Sequence, residues 1–202
     1  KNIKFNIFHN GSLYRNNFVS INSYDKNPLI NKIIYGSDLY YLGKGINPSK
    51  KIVLLPVKYT NFNYTEEDII NKFDCDKLII LHCPSSKRRK GSYVIRTVVN
   101  NILLKYNLYN KYEYIELTNK TNDEIMLFKK KSHIYIDQFF PDIGGFGVSA
   151  IEALICGNIV LSSMNNIPQG VLPKNFPIIP INDYNYLENT LIKLVLLQKK
   201  QL

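Results

Sequence analysis

Four consecutive cations, Lys87, Arg88, Arg89 and Lys90, run directly into Gly91 and Ser92 in the stretch HCPSSKRRKGS. The run follows a short apolar segment, KLIILHC, and precedes apolar residues at helical spacing. Positive charge gathered where a helix begins, beside small residues that leave backbone N–H groups open, suits an anion such as a diphosphate. A solvated basic turn or a nucleic-acid patch has the same composition, so the run alone does not choose between them. A second stretch, QFFPDIGGFGVSAIEALICG, sets glycines 144, 145 and 147 ahead of an apolar helix with a single carboxylate, Glu152. The glycines let the backbone come close to a ligand, and the start of the helix complements negative charge. Glu152 lies about a turn and a half into that helix. It can face solvent as a complement to the helix dipole, or accept two hydrogen bonds from a vicinal diol, as acidic groups do with nucleotide riboses. His9 and His82 stand at strand ends and read as structural rather than as bases.

The elements that must position these residues alternate regularly from Lys77 onward. KLIILHC, YEYIEL, HIYIDQ and NIVLSS read as strands, and FPIIPI as extended chain. YVIRTVVNNILLKYNL reads as a helix, with Val94, Ile95, Val98, Val99, Ile102 and Leu103 on one stripe. NDEIMLFKKK is expected to be a helix capped by Asn122, FGVSAIEALICG a helix stopped by Gly157, and YNYLENTLIKLVLLQKK a closing amphipathic helix. This order predicts an α/β fold, a Rossmann-like parallel sheet with helices on both faces. Ligands of such sheets bind beyond the carboxyl ends of the strands, where both loops above lie. Upstream, IKFNIF, LINKIIYGSDLYYLG and KKIVLLPV read as strands or short α/β pieces, too few for a complete second α/β domain. The polar stretch KYTNFNYTEED, with a helix start at Thr65, sets the expected boundary, leaving a partial N-terminal segment at 1–62 and the main domain at 63–202.

Composition narrows the partners without naming one. The 202 residues are 45% hydrophobic and 21% charged, a globular balance that argues against wholesale disorder. A net charge of +10 suits phosphorylated small molecules, nucleic acid or an anionic membrane surface. The abundance of Lys, Asn, Ile and Tyr throughout reads equally well as a coding bias. Cys75, Cys83 and Cys156 are odd in number and lack CxxC spacing, which argues against a zinc site or a disulfide scaffold and points to a reducing, cytoplasmic compartment. No apolar run is long enough to span a bilayer, so any membrane contact is expected to be peripheral. The chain begins at Lys1 and holds methionine only at Met126 and Met164, and so reads as a piece of something longer.

The stretch HIYIDQFFPDIGGFGVSAIEALICGNIVLSS resembles the donor-binding segment of the retaining glycosyltransferases with the GT-B fold, the glycosyl transferases group 1 family. ILHCPSSKRRKGS is similar to that family's preceding loop, in which a basic residue and a Lys-Gly pair bind the diphosphate. The likeness covers residues 77 to 163 in order, with weaker echoes in NGSLYR, similar to a stretch on the acceptor side, and in KIVLLPVKYTNF, similar to the linker entering the second domain. The resemblance implies a C-terminal domain that binds a nucleotide sugar, preceded by the end of an N-terminal domain. It implies Glu152 as the ribose glutamate, Lys90 as the diphosphate lysine and Lys87 in the place of the second basic group. Gly145, Phe146 and Gly147 match the loop that approaches the donor sugar and phosphate. The implied activity is retaining transfer of a sugar from a UDP- or GDP-sugar to a glycan, lipid or other acceptor in polysaccharide biosynthesis, with no metal, no cofactor and no specific nucleic acid. The sequence departs from the pattern at Gly144, where many members hold a second glutamate, eight positions before the ribose glutamate, that contacts the donor sugar; Asp142 is close enough to substitute. Two other readings stay open, a sugar-nucleotide epimerase of the same fold and a degenerate or non-enzymatic basic binding domain.

Overall fold

The computed structural model describes residues 5–9, 30–35, 52–54, 64–139, 145–165, 167, 172 and 174–197. Strands β1 (Phe5–His9), β2 (Ile30–Tyr35) and β3 (Ile52–Leu54) pair in parallel, in that order. A second, five-stranded sheet holds β4 (Leu78–His82), β5 (Tyr112–Glu116), β6 (Ile134–Gln138), β7 (Ile159–Ser162) and β8 (Ile178–Pro180). Its order is β5-β4-β6-β7-β8 and every pairing is parallel. Such a sheet must be covered on both faces, and its inner strands β4, β6 and β7 open on continuous apolar runs for that reason, while the edge strand β5 carries Glu113 and Glu116. Leu78, Ile80, Ile134, Ile136 and Leu161 pack into one core, while their neighbours Leu81, Tyr135 and Val160 pack into the other.

Among the described residues, six helices supply the covers and their connections. They are α1 (Glu66–Asn71), α2 (Lys87–Lys90), α3 (Ser92–Lys105), α4 (Asn122–Lys131), α5 (Val148–Ile155) and α6 (Tyr184–Leu196). The helical stripe Ile95, Val98, Val99, Ile102 and Leu103 of α3 packs with Leu187 and Leu191 of α6 on the first face. Helices α4 and α5 pack together on the second, through Ile125, Phe128, Ala150 and Ala153. Each fully buried Leu or Ile contributes about 1.5–3 kcal/mol to holding these layers. The result is the Rossmann-like α/β arrangement that the strand and helix periodicities predict.

Two local expectations change. Helix α4 is capped by Thr121 and not by Asn122, which becomes the first helical residue. Thr121 Oγ1 accepts from the Glu124 N–H while the Glu124 carboxylate accepts from the Thr121 N–H, a reciprocal pair that Asn122, with Ile125 three residues on, has no partner to make. The basic run is not a plain turn either, because Lys87–Lys90 form a single helical turn that Gly91 ends with a φ of +67° before α3 begins.

Helix α1 is tied to the far end of the sheet. Lys72, just after it, donates to the carbonyls of Ser132 at 2.7 Å and Cys156 at 2.8 Å, which close α4 and α5. A cation there answers the negative ends of two helices. Burial nevertheless pushes the Lys72 ammonium down to about 8. Cys83 and Cys156 are free and buried, and burial lifts their thiols to about 12 and about 11, so both act as small apolar packers. Among the described residues, no helix is long and apolar enough to cross a membrane.

Candidate anion-binding cleft

In the five-stranded sheet the chain leaves β4 toward β5 on one side and then crosses to β6 on the other. Loops leaving β4 and β6 therefore diverge, opening a crevice at their carboxyl ends. A cleft of about 640 Å³ lies there, a volume usual for a small-molecule site. Its walls include Arg89 and Lys90 after β4, Lys120 after β5, Gln138 at the end of β6, and Gly147 and Ser149 at the start of α5.

Lys90 is aimed by its own helical turn and by Asp137. Its Nζ lies 2.9 Å from Asp137 Oδ1, with the carboxylate 1% exposed and the lysine 17%. Asp137 Oδ2 also accepts from the Gly147 N–H at 2.8 Å and lies 3.3 Å from the Ser162 hydroxyl. Burial alone would raise this carboxyl; the Lys90 charge and the Gly147 hydrogen bond reverse that and hold it below the usual carboxylate range. The corner at Gly91 sets the distance. A Cβ on Gly91 would stand 1.9 Å from the Phe139 carbonyl oxygen, and the Phe139 N–H donates to the Lys90 carbonyl at 3.0 Å. The left-handed φ and the contact both demand glycine. Gly147 is close-packed as well, since a Cβ there would meet Lys90 Nζ at 3.2 Å.

Glu152 is held from below. Its Oε2 lies 2.5 Å from Nζ of Lys129 in α4, a lysine with no exposed surface. Lys129 Nζ also donates to Ser149 Oγ at 2.7 Å, and Ser149 Oγ lies 2.7 Å from the Tyr135 hydroxyl. The Glu152 side chain keeps 11% of its surface exposed, and Glu152 is not among the residues lining the cleft. The apolar surroundings thus admit a carboxylate because a buried ammonium meets it there.

The other candidate residues take varied places. Lys87 turns to Glu116 at 3.1 Å, where Arg96 also binds, and is not among the residues lining the cleft; Arg89, two positions on, is. Burial would raise the Glu116 carboxyl, but hydrogen bonds from Arg96 and Lys87 leave it lowered. Ser92 is fully buried, its hydroxyl 2.8 Å from His82 Nε2, and the Gly91 N–H closes on the carbonyls of α2 and is not open as its small size suggests. His82 is itself buried, with Nδ1 2.7 Å from the Ile136 carbonyl oxygen; burial lowers its pKa and that hydrogen bond offsets only part of the fall. Phe146 is a core residue whose ring centroid lies 5.1 Å from that of Phe176. The Gly145 carbonyl accepts from Gln138 Nε2 and, 3.1 Å from Ser162 Oγ, competes with Asp137 for that hydroxyl's one proton. Asp142 and Gly144 lie outside the described residues.

Four residues of this region escape the sequence reading. Asp137 is the one carboxylate in an apolar strand, and Lys129 falls on the stripe Ile125, Phe128, Ser132, where an apolar residue belongs; both are signals a period count can find. Lys120 and Ser149 carry no such mark, because only the fold turns them to the cleft, where Arg89 of the basic run joins them. Lys90 is balanced by Asp137 and Lys120 by Glu124 at 2.9 Å, while Arg89 has no ionic partner among the described residues. The cleft can thus take an anion between its cations and the first turn of α5. Among the described residues no group of three or more His, Cys, Asp or Glu converges as a metal site would require. No protein-family model matches the chain, and no curated protein matches it in sequence.

Proposed function

We propose that this chain is the donor-binding part of a GT-B-fold glycosyltransferase, holding a nucleotide-activated sugar in the cleft between β4 and β6. The observation that carries the reading is the convergence of Lys90, Arg89 and the first turn of α5 on one cleft at the strand-order reversal. It is supported by the resemblance of residues 77 to 163 to that family's donor segment. In the reaction, the bond from the sugar's anomeric carbon to the diphosphate breaks while a bond to an acceptor oxygen forms. The acceptor hydroxyl gives up its proton and the nucleoside diphosphate leaves with the electron pair. Negative charge grows on the leaving phosphate, and fixed cations with helix-start amides stabilise it most where it grows most. Lys90 and Arg89 serve that charge. Glu152, held through one oxygen by Lys129, lies one turn past the cleft wall at Ser149 and would offer its other oxygen to the ribose hydroxyls of a donor that reaches beyond that wall. Gly144, standing where many members of the resembled family hold a sugar-contacting glutamate, favours a second reading, a domain that binds the donor without transferring it.

Thermal stabilisation by UDP, GDP, ADP, CMP and dTDP at fixed ionic strength tests the first step. A nucleoside diphosphate at a hundredfold excess over its Kd should add about 2.7 kcal/mol. Stabilisation by one of them, lost in Lys90→Ala, supports the donor site, and release of that nucleoside diphosphate from its sugar conjugate separates a transferase from a mere binder. No response to any would overturn the reading.

A further inference from the structure

Ser149 is half-buried on the wall of the cleft and makes two hydrogen bonds whose directions can be worked out. Lys129 is an ammonium and can only donate, so Ser149 Oγ accepts from it at 2.7 Å. The bond to Tyr135, also 2.7 Å, could run either way. Tyr135 has no exposed surface, and Ser149 is its one hydrogen-bond partner among the described residues. Were Tyr135 the acceptor, its own proton would be buried with nowhere to go, which is the costly arrangement for a hydroxyl. Tyr135 therefore donates. Ser149 then has both lone pairs filled from the protein interior and one proton left over.

Ser149 is also the second residue of the eight-residue helix α5, where the helix itself provides no acceptor for the backbone N–H. We propose that Ser149 is a phosphate-contacting residue of the cleft, its hydroxyl proton turned to a diphosphate oxygen because Lys129 and Tyr135 fill its acceptor side. This deepens, and rests on, the donor-site reading above. Lys129 then has a second task as a positioning residue, since one buried ammonium fixes both the carboxylate of Glu152 and the donor direction of Ser149.

Isothermal titration with inorganic pyrophosphate, and with UDP, GDP and ADP, separates the two claims. Ser149→Ala should weaken pyrophosphate and the preferred nucleoside diphosphate by the same factor, about tenfold or more for a hydrogen bond to a charged oxygen. Ser149→Thr, which keeps the hydroxyl, should restore most of it. Tyr135→Phe should leave both affinities within about twofold. Unchanged affinity in Ser149→Ala overturns the assignment while leaving the donor site standing, and a gain of affinity in Tyr135→Phe does so too, because it means the serine proton had been given to Tyr135. If pyrophosphate binds but no nucleoside diphosphate binds better, the nucleotide-sugar reading fails and Ser149 is judged on pyrophosphate alone. If the unaltered protein binds neither, both fall.

Discussion

The pairs Lys90–Asp137 and Lys129–Glu152 flank the start of α5, and they are built in opposite senses. In the first the carboxylate is sealed, at 1% exposure, and the lysine reaches the cleft. In the second the lysine is sealed and the carboxylate keeps the exposed edge. The same chemical unit thus presents a cation on one side and an anion on the other. The buried partner fixes direction; Lys90 lines the cleft, while Glu152 keeps a narrow edge just outside the residues that line it. A phosphate and a diol on one molecule would need that combination of opposite signs.

Breaking the second pair should have the largest effect. Lys129→Met strands Glu152 in its apolar surroundings and should cost about 3–5 kcal/mol of stability in urea unfolding. The double replacement Lys129→Met with Glu152→Leu should recover most of that loss, since matched apolar residues often replace a buried pair without penalty. Failure of the double variant to recover would mean that the site, and not the missing charge partner, is what Lys129 supports. Lys90→Ala should act on ligand more than on fold, weakening nucleoside diphosphate by about 1.5–3 kcal/mol in titration calorimetry. Its stability loss should be smaller than that of Lys129→Met, because Asp137 keeps the Gly147 N–H and the truncated side chain opens a path for water to the carboxylate.

Below the first pair lies His82, whose folded-state pKa is depressed. The unfolded chain therefore takes up a proton near pH 6.5 that the folded chain refuses. The stability from keeping His82 neutral is present above that pH and drains away as pH falls toward the folded value, with a slope of at most about 1.4 kcal/mol per unit. Unfolding free energies between pH 7.5 and 5 should show that slope, and His82→Gln should flatten it. The smallest change belongs to Lys87→Ala. Lys87 is 57% exposed against Glu116, so nucleotide affinity should move by no more than about 0.5 kcal/mol. A loss as large as that of Lys90→Ala would put Lys87 at the ligand after all.

The layers of the main sheet were legible because burial on two faces leaves a continuous apolar strand, and burial on one face leaves a helical stripe. Leu78 to His82 and Ile95 to Leu103 show both patterns. Even the true cap of α4 is visible, since Thr121 and Glu124 stand at the spacing of a reciprocal pair. The site was legible in part. Side-chain direction within the single turn of α2 depends on where that turn is pinned, and the Gly91 contact with Phe139 joins residues far apart in sequence. Glu152 could be singled out as an odd charge, but its partner lies 23 positions earlier on another helix. Only packing α4 against α5 brings them together.

Lys72 has a consequence for where this chain can be shortened. By gripping the last carbonyls of α4 and α5 it makes α1 part of the closing seam of the sheet domain, and Tyr64, whose hydroxyl donates to the Lys130 carbonyl at 2.7 Å, extends the seam. A fragment begun at Lys77, at the first strand of the sheet, would uncover two helix ends at once and should fold poorly. One begun at Tyr64 retains the whole seam, and is the shortest form in which the cleft can be studied apart from the residues before it.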